Sequence, residues 1–136
     1  MLVYTHSACL DHQPGPGHPE HPGRLRAVLE ALKSAFGERL NFVEAPAATE
    51  TQLLRVHSAQ LLTQLRQSSP SAGLYRIDAD TAMSPASLDA SLRSCGAVCA
   101  AIDAVLRGPG VRVFCALRPP GHHSTADQAM GFCLYN

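Results

Sequence analysis

The chain has 136 residues, 46% of them hydrophobic and 16% charged, with eleven basic and eleven acidic side chains that cancel. That composition fits a globular protein of at most one domain and argues against a nucleic-acid or membrane surface as its partner. The first residues lack the charged-then-apolar pattern of a leader, and no apolar run approaches membrane-spanning length.

Leu2-Val3-Tyr4 reads as a short apolar strand. A loop from Asp11 to Gly23 follows, and its four prolines and three glycines exclude a helix. From Arg24 the pattern turns helical, with Leu25, Val28, Leu29 and Leu32 on one face and Gly37 closing the helix. Asn41 to Ala45 predicts a second strand, ended by Pro46. Thr49-x-x-Gln52 is a capping box opening a short helix through Val56, and Ser58 caps a further helix carrying Leu61, Leu62 and Leu65.

Ser68 to Gly73 reads as a flexible connection and Leu74 to Met83 as irregular chain. Ser84-Pro85 then predicts the N-cap and first position of the longest helix. Its apolar seam is Leu88, Leu92, Cys95, Cys99, Ile102 and Leu106, and it ends at Gly108-Pro109-Gly110. The small residues Gly96, Ala97, Ala100 and Ala101 would let that helix lie close on a sheet. Val111 to Leu117, rich in β-branched and aromatic residues, predicts a buried strand. Strands joined by helical crossovers indicate an α/β fold with a parallel sheet. Five cysteines (Cys9, Cys95, Cys99, Cys115, Cys133), an odd number without a Cys-x2-Cys pair, are expected as free thiols in a reducing cytoplasm.

The last strand runs into Arg118-Pro119-Pro120-Gly121-His122-His123. The Pro-Pro-Gly breaks the strand, so two imidazoles emerge at a strand end on stiff backbone, where open α/β sheets put their chemistry. Six residues on comes Met130-Gly131-Phe132-Cys133-Leu134-Tyr135-Asn136. The two segments together strongly resemble the zinc-dependent histone deacetylase family, most closely its class II and bacterial deacetylase-like members. His18-Pro-Glu-His-Pro-Gly-Arg-Leu-Arg26 is similar to the family loop that forms one wall of the active-site mouth, and Val56-His57-Ser58 to a structural helix junction.

The resemblance implies an arginase-like three-layer α/β sandwich that hydrolyses an acetyl-lysine or related acetyl-amide with a zinc-activated water. It implies that His123 is the general base and acid, that His122 supports it, and that Gly131 and Phe132 line the tunnel for the lysine methylenes. Asp80 falls where a rim side chain grips the substrate backbone, and Arg24 where an arginine lies beneath the site near a cavity proposed for acetate release. Read from the residues alone, Asp80 is equally a turn residue, Arg24 a solvated one and Phe132 ordinary core. The resemblance leaves the substrate open among a histone-like protein, another acetyl-lysine protein, a polyamine and a small acetyl compound.

In the family the zinc ligands lie well downstream of the histidine pair. Residues 1–136 are therefore expected to be the N-terminal portion of a catalytic domain, with no metal ligand of their own. Alone, the chain is expected to be inactive and poorly folded. The residues also admit two other readings. One is a small non-catalytic zinc-binding module using Cys9, His12, His18 and His21, whose spacing fits none of the usual zinc patterns. The other is a Cys133 nucleophile paired with His122 or His123, against which stand the apolar flanks Phe132 and Leu134.

Overall fold

The computed structural model describes residues 1–136. The elements run β1 (Leu2–Thr5), α1 (Ala8–Asp11), α2 (Pro22–Phe36), β2 (Asn41–Glu44), α3 (Glu50–Leu53), α4 (Ala59–Ser68), β3 (Tyr75–Arg76), β4 (Ala82–Met83), α5 (Ser87–Arg107) and β5 (Val113–Cys115). The main sheet is parallel with order β2-β1-β5, so β1 is its central strand and β5 an edge strand within this chain. Parallel neighbours cannot be joined by a hairpin, which is why helices lie between them in the sequence.

Strand register sorts the side chains into two rows. Val3 lies beside Phe42 and Phe114, and one step on Tyr4 lies beside Val43 and Cys115. Successive strand residues face opposite sides. Val3 and Phe42 pack with Leu25, Leu29 and Leu32 of α2, the apolar face that the sequence pattern defines. On the other side the Cys115 thiol lies 3.9 Å from the Ala97 carbonyl of α5. The sheet is thus held between α2 and α5 as an α/β sandwich. A second core beside it unites Leu53 of α3, Leu61, Leu62 and Leu65 of α4, Met83 of β4, and Leu134 and Tyr135 of the last segment. Each such buried side chain contributes about 1.5–3 kcal/mol relative to exposure.

Helix ends follow local chemistry, with some shifts from expectation. The capping box at Thr49 and Gln52 is formed in both directions, and Ser58 accepts from the Leu61 N–H. Helix α3 ends at Leu53, and turns carry the chain on to Val56. Helix α2 begins at Pro22, two residues before Arg24, because His21 serves as N-cap and accepts from the Gly23 N–H while Pro22 fills the first turn. The stretch expected to be irregular contains the antiparallel β3–β4 pair, with Tyr75 opposite Met83 and Arg76 opposite Ala82.

Two expectations for α5 are corrected. The helix starts at Ser87, with Ala86 as an N-cap that makes no side-chain bond. Ser84 sits in the preceding turn, where its hydroxyl accepts from the Gln13 N–H at 3.0 Å and so ties the turn to the proline-rich loop. The apolar seam packs only in its first half, against the second core. Leu88, Leu92 and Cys95 are half-buried, but Ile102 is 55% and Leu106 79% exposed. The buried residues are Ser87, Ala90, Ser91, Gly96 and Ala97. Small side chains win because the helix backbone approaches residues 46–48 closely: a Cβ on Gly96 would lie 2.5 Å from the Ala48 nitrogen and closer still to the Pro46 carbonyl oxygen.

Gly96→Ala tests this contact. Alanine gains about 1 kcal/mol in helix propensity, but overpacking against fixed backbone costs about 1–3 kcal/mol. A net loss of up to about 2 kcal/mol is expected by urea unfolding, whereas a gain would mean that the approach is looser than described.

Candidate functional site

The carboxyl end of β5 leads into Arg118, a guanidinium that is only 3% exposed. Its Nε and Nη2 each donate to the Glu20 carboxylate at 2.8 Å, and Nη1 donates to the carbonyls of Cys9 and His12. Glu20, 1% exposed, also has His12 Nε2 at 3.4 Å, and His12 Nδ1 lies 2.6 Å from the Ser87 hydroxyl of α5. No buried side-chain nitrogen or oxygen lacks a partner. Burial alone would raise the Glu20 carboxyl, but hydrogen bonds from His12 and Arg118, with their positive charge, hold it at about 2.

Beyond Arg118, Pro119-Pro120-Gly121 delivers His122 and His123 to the surface with ring centroids 4.3 Å apart at 51°. They meet different surroundings. His122 lines a cavity of about 380 Å³ with Leu117, Pro119, Cys95, Cys99 and Tyr135. His123 lies against Gly131, where an added Cβ would come within 2.8 Å of its Cβ and Cγ.

Gly131 belongs to a tight hairpin. Met130 and Cys133 exchange backbone hydrogen bonds of 3.0 Å, and the two central residues have φ of +57° (Gly131) and +69° (Phe132). Two positive φ values mark a type I′ turn, which a bulky residue rarely enters. Contacts from outside hold Phe132 there. Its N–H donates to the Thr81 hydroxyl at 3.0 Å, and the His18 ring stands edge-on to it at 4.7 Å and 74°. His18 Nε2 in turn lies 2.9 Å from the Asp80 carbonyl. The Asp78 carboxylate shapes that turn, accepting from the Asp80 and Thr81 N–H groups at 2.9 and 2.6 Å.

An unbroken set of contacts therefore joins Asp80, Phe132, Gly131, His123 and His122. Arg24 stands apart. It is on the first turn of α2, 4.0 Å from Glu20, and lines a separate cavity of about 360 Å³ with Glu20, Arg118 and Pro120, on the far side of the histidine loop. His57, at the helix junction, is a structural tie: it lies 2.8 Å from the Thr125 carbonyl and accepts from the Asn136 N–H at 2.8 Å.

The zinc module is not formed. Cys9 and His12 are buried, His12 is bound to Glu20 and Ser87, His18 to Glu20 and Asp80, and His21 caps α2. No group of three or more His, Cys, Asp or Glu side chains is arranged to hold a metal ion. Proline-fixed turns send the four side chains to different partners. Cys133 is wholly buried and its thiol is pushed up by that burial, which disfavours the thiolate that a nucleophile needs. All five thiols are free, and no helix is long and apolar enough to cross a membrane. Sequence reasoning did not find the partners of Glu20 and Arg118, or the bridging position of His18. The only signal was a Glu and an Arg in prolyl segments 98 residues apart.

With sheet and mouth described, comparison with known proteins defines the class. The profile of the histone deacetylase domain matches residues 18–136. The chain belongs to the histone deacetylase family. It is 38% identical to the histone deacetylase-like amidohydrolase of Pseudomonas aeruginosa, over 88% of this chain and 31% of that protein. It is also 38% identical to a probable deacetylase of Methanothermobacter thermautotrophicus, over 99% of this chain and 40% of that one. The crystal structure of the HDA15 HD domain superposes with a TM-score of 0.92 at 28% identity, covering 99% of this chain and 39% of that one. The chain thus spans less than half the length of these relatives.

Glu20 sets an acid limit. Its pKa is lowered from 4.5 to about 2, so its contribution is complete above pH 4.5 and is lost as pH falls towards 2. The shift corresponds to about 3 kcal/mol at neutral pH. Glu20→Gln leaves a buried guanidinium uncompensated and is expected to cost about 3–5 kcal/mol. In urea melts from pH 7 to pH 2.5 the variant should lose much of the wild-type slope below pH 4.5.

Proposed function

We propose that the protein is a zinc-dependent deacetylase acting on acetyl-lysine or a related acetyl-amide, with residues 1–136 forming the N-terminal portion of its catalytic domain. The observation that carries this reading is the contact set of His122 and His123, Gly131, Phe132 and Asp80 around one mouth. Zinc is the metal that the family resemblance implies. Residues 1–136 offer no ligand set for it, and no step below runs through it. Five unpaired thiols fit a reducing cytoplasm.

His123 takes a proton from the attacking water and returns it to the leaving amine, a two-way task that suits imidazole because its ordinary pKa is about 6.5. Its position against Gly131, beside the Phe132 turn, favours it over His122 for this role. His122 supports it by charge and hydrogen bonding. Gly131 and Phe132 form the wall for the lysine methylenes, each worth about 0.8 kcal/mol when buried. Asp80 is exposed, and its carboxylate accepts only from the Thr81 hydroxyl, at 3.1 Å, which leaves lone pairs for substrate N–H groups. Arg118 holds the start of the histidine loop through Glu20, and Arg24 supports it from the separate cavity that it lines with Glu20, Arg118 and Pro120. The substrate is an acetylated protein or a small acetyl-amide.

In the whole protein, His123→Ala should lower turnover of an acetyl-lysine substrate by about 10²–10⁴-fold, and His122→Ala by less. Equal, small losses would sink the assignment of roles. Asp80→Ala should damage handling of acetylated peptides more than of a minimal acetyl-amide without a peptide backbone, since a carboxylate can grip only N–H groups that are present. Identical losses on both substrates would make Asp80 a folding residue.

A further inference from the structure

The roles assigned above leave one half-buried side chain of the mouth unused. His18 Nδ1 accepts from the Glu20 N–H at 3.0 Å, so the ring proton sits on Nε2, which donates to the Asp80 carbonyl at 2.9 Å. The ring edge meets Phe132 at 4.7 Å between centroids. One rigid plane thus spans the proline-rich loop, the β3–β4 turn and the Gly-Phe hairpin.

We propose that His18 is a positioning residue that sets substrate preference by holding Asp80 and Phe132 at a fixed separation. The proposal rests on the deacetylase reading for the meaning of that separation. The need for such a brace is visible in the two parts it joins. The Asp80 turn is stabilised internally by Asp78, but that carboxylate does not reach the hairpin. Phe132 occupies a left-handed conformation that a bulky residue leaves unless outside contacts hold it. The Thr81 hydroxyl supplies one contact to its N–H, and His18 supplies the contact to its ring.

Imidazole suits the place because it offers an acceptor, a donor on the opposite side and an aromatic edge in one plane. Phenylalanine offers only the edge, and glutamine offers an amide donor or acceptor without the edge. The base of the brace is firm because Glu20, whose N–H it accepts, is clamped by Arg118. An extended acetyl-lysine peptide needs both the carboxylate and the wall, whereas a minimal acetyl-amide needs only the wall. Loosening His18 should therefore penalise peptides selectively.

The test compares wild type, His18→Phe and His18→Gln in the whole protein by amide hydrogen exchange and by kinetics. In His18→Phe, exchange at Thr81 and Phe132 should quicken about tenfold, the scale of one lost hydrogen bond, while β1 and α4 keep their protection. The kcat/KM for an acetyl-lysine peptide should fall about tenfold, chiefly through KM, and that for a minimal acetyl-amide about threefold. His18→Gln should recover part of both. Unchanged exchange at Thr81 and Phe132 would overturn the proposal. So would equal kinetic losses on both substrates accompanied by faster exchange throughout the chain. Should the wild-type protein hydrolyse neither substrate, the deacetylase reading fails and the preference with it, while the exchange measurement still decides whether His18 braces the mouth.

Discussion

The buried ion pair of Glu20 and Arg118 joins residues 98 positions apart, and the site is assembled on it. Removing two such charges from water costs several kcal/mol per ion, so the pair is weak evidence for stability by itself. What it secures is register. A loop with prolines at 14, 16, 19 and 22 cannot satisfy its own backbone, and the guanidinium answers the Cys9 and His12 carbonyls while gripping Glu20 with two parallel bonds. Lysine, a point charge with three donors, could not fill this fork-shaped place. His12 and Ser87 extend the same network to the start of α5.

This network explains why chemistry gathers at one end of the sheet. The carboxyl ends of the parallel neighbours β1 and β5 point the same way, one leading to Cys9 and His12 and the other to Arg118 and the histidine pair. The ion pair ties the two exits together. Around that fixed point stand two segments that would not keep their shape alone, the Asp78–Thr81 turn and the hairpin carrying Phe132 at positive φ. Cost at Phe132 is offset by neighbours on two separate stretches of chain, Thr81 and His18. The result is a mouth assembled from short, irregular pieces on a rigid base.

Signals that act within a few residues were legible in the sequence. The caps at Thr49 and Ser58, the Leu25-to-Leu32 face and the parallel crossovers all rest on local chemistry and periodicity. Periodicity also found α5 and the half of its seam that packs on the second core, but not its fully buried stripe. It reports where apolar residues recur, whereas the packed stripe was set by how close the backbone of residues 46–48 comes to Gly96. Ser84 read as a cap because the pull of Gln13, 71 positions away, is invisible locally. The two-residue strands β3 and β4 are too short to carry a pattern. At the site, the histidine pair, Asp80, Gly131 and Phe132 were reached through motif resemblance. That Gly131 backs His123, or that His18 bridges Asp80 and Phe132, depends on contacts across 8 to 114 positions that spacing does not encode.

The two histidines show how adjacent, identical side chains acquire different surroundings. The polypeptide turn after Pro119-Pro120 places their rings 4.3 Å apart, yet each faces a different wall. His122 turns towards Leu117, Tyr135 and the thiols of Cys95 and Cys99. Burial, with Cys99 beside it, pushes the Cys95 thiol up to about 12, so that thiol stays protonated at neutral pH. His123 instead lies over the one residue type whose missing side chain leaves room for its ring, in the hairpin that also presents Phe132. His123 thus lies beside the hairpin that carries Phe132, whereas His122 lines the cavity on the α5 side. The asymmetry arises from packing on Gly131 and α5, and it gives different surroundings to two side chains that the sequence writes identically.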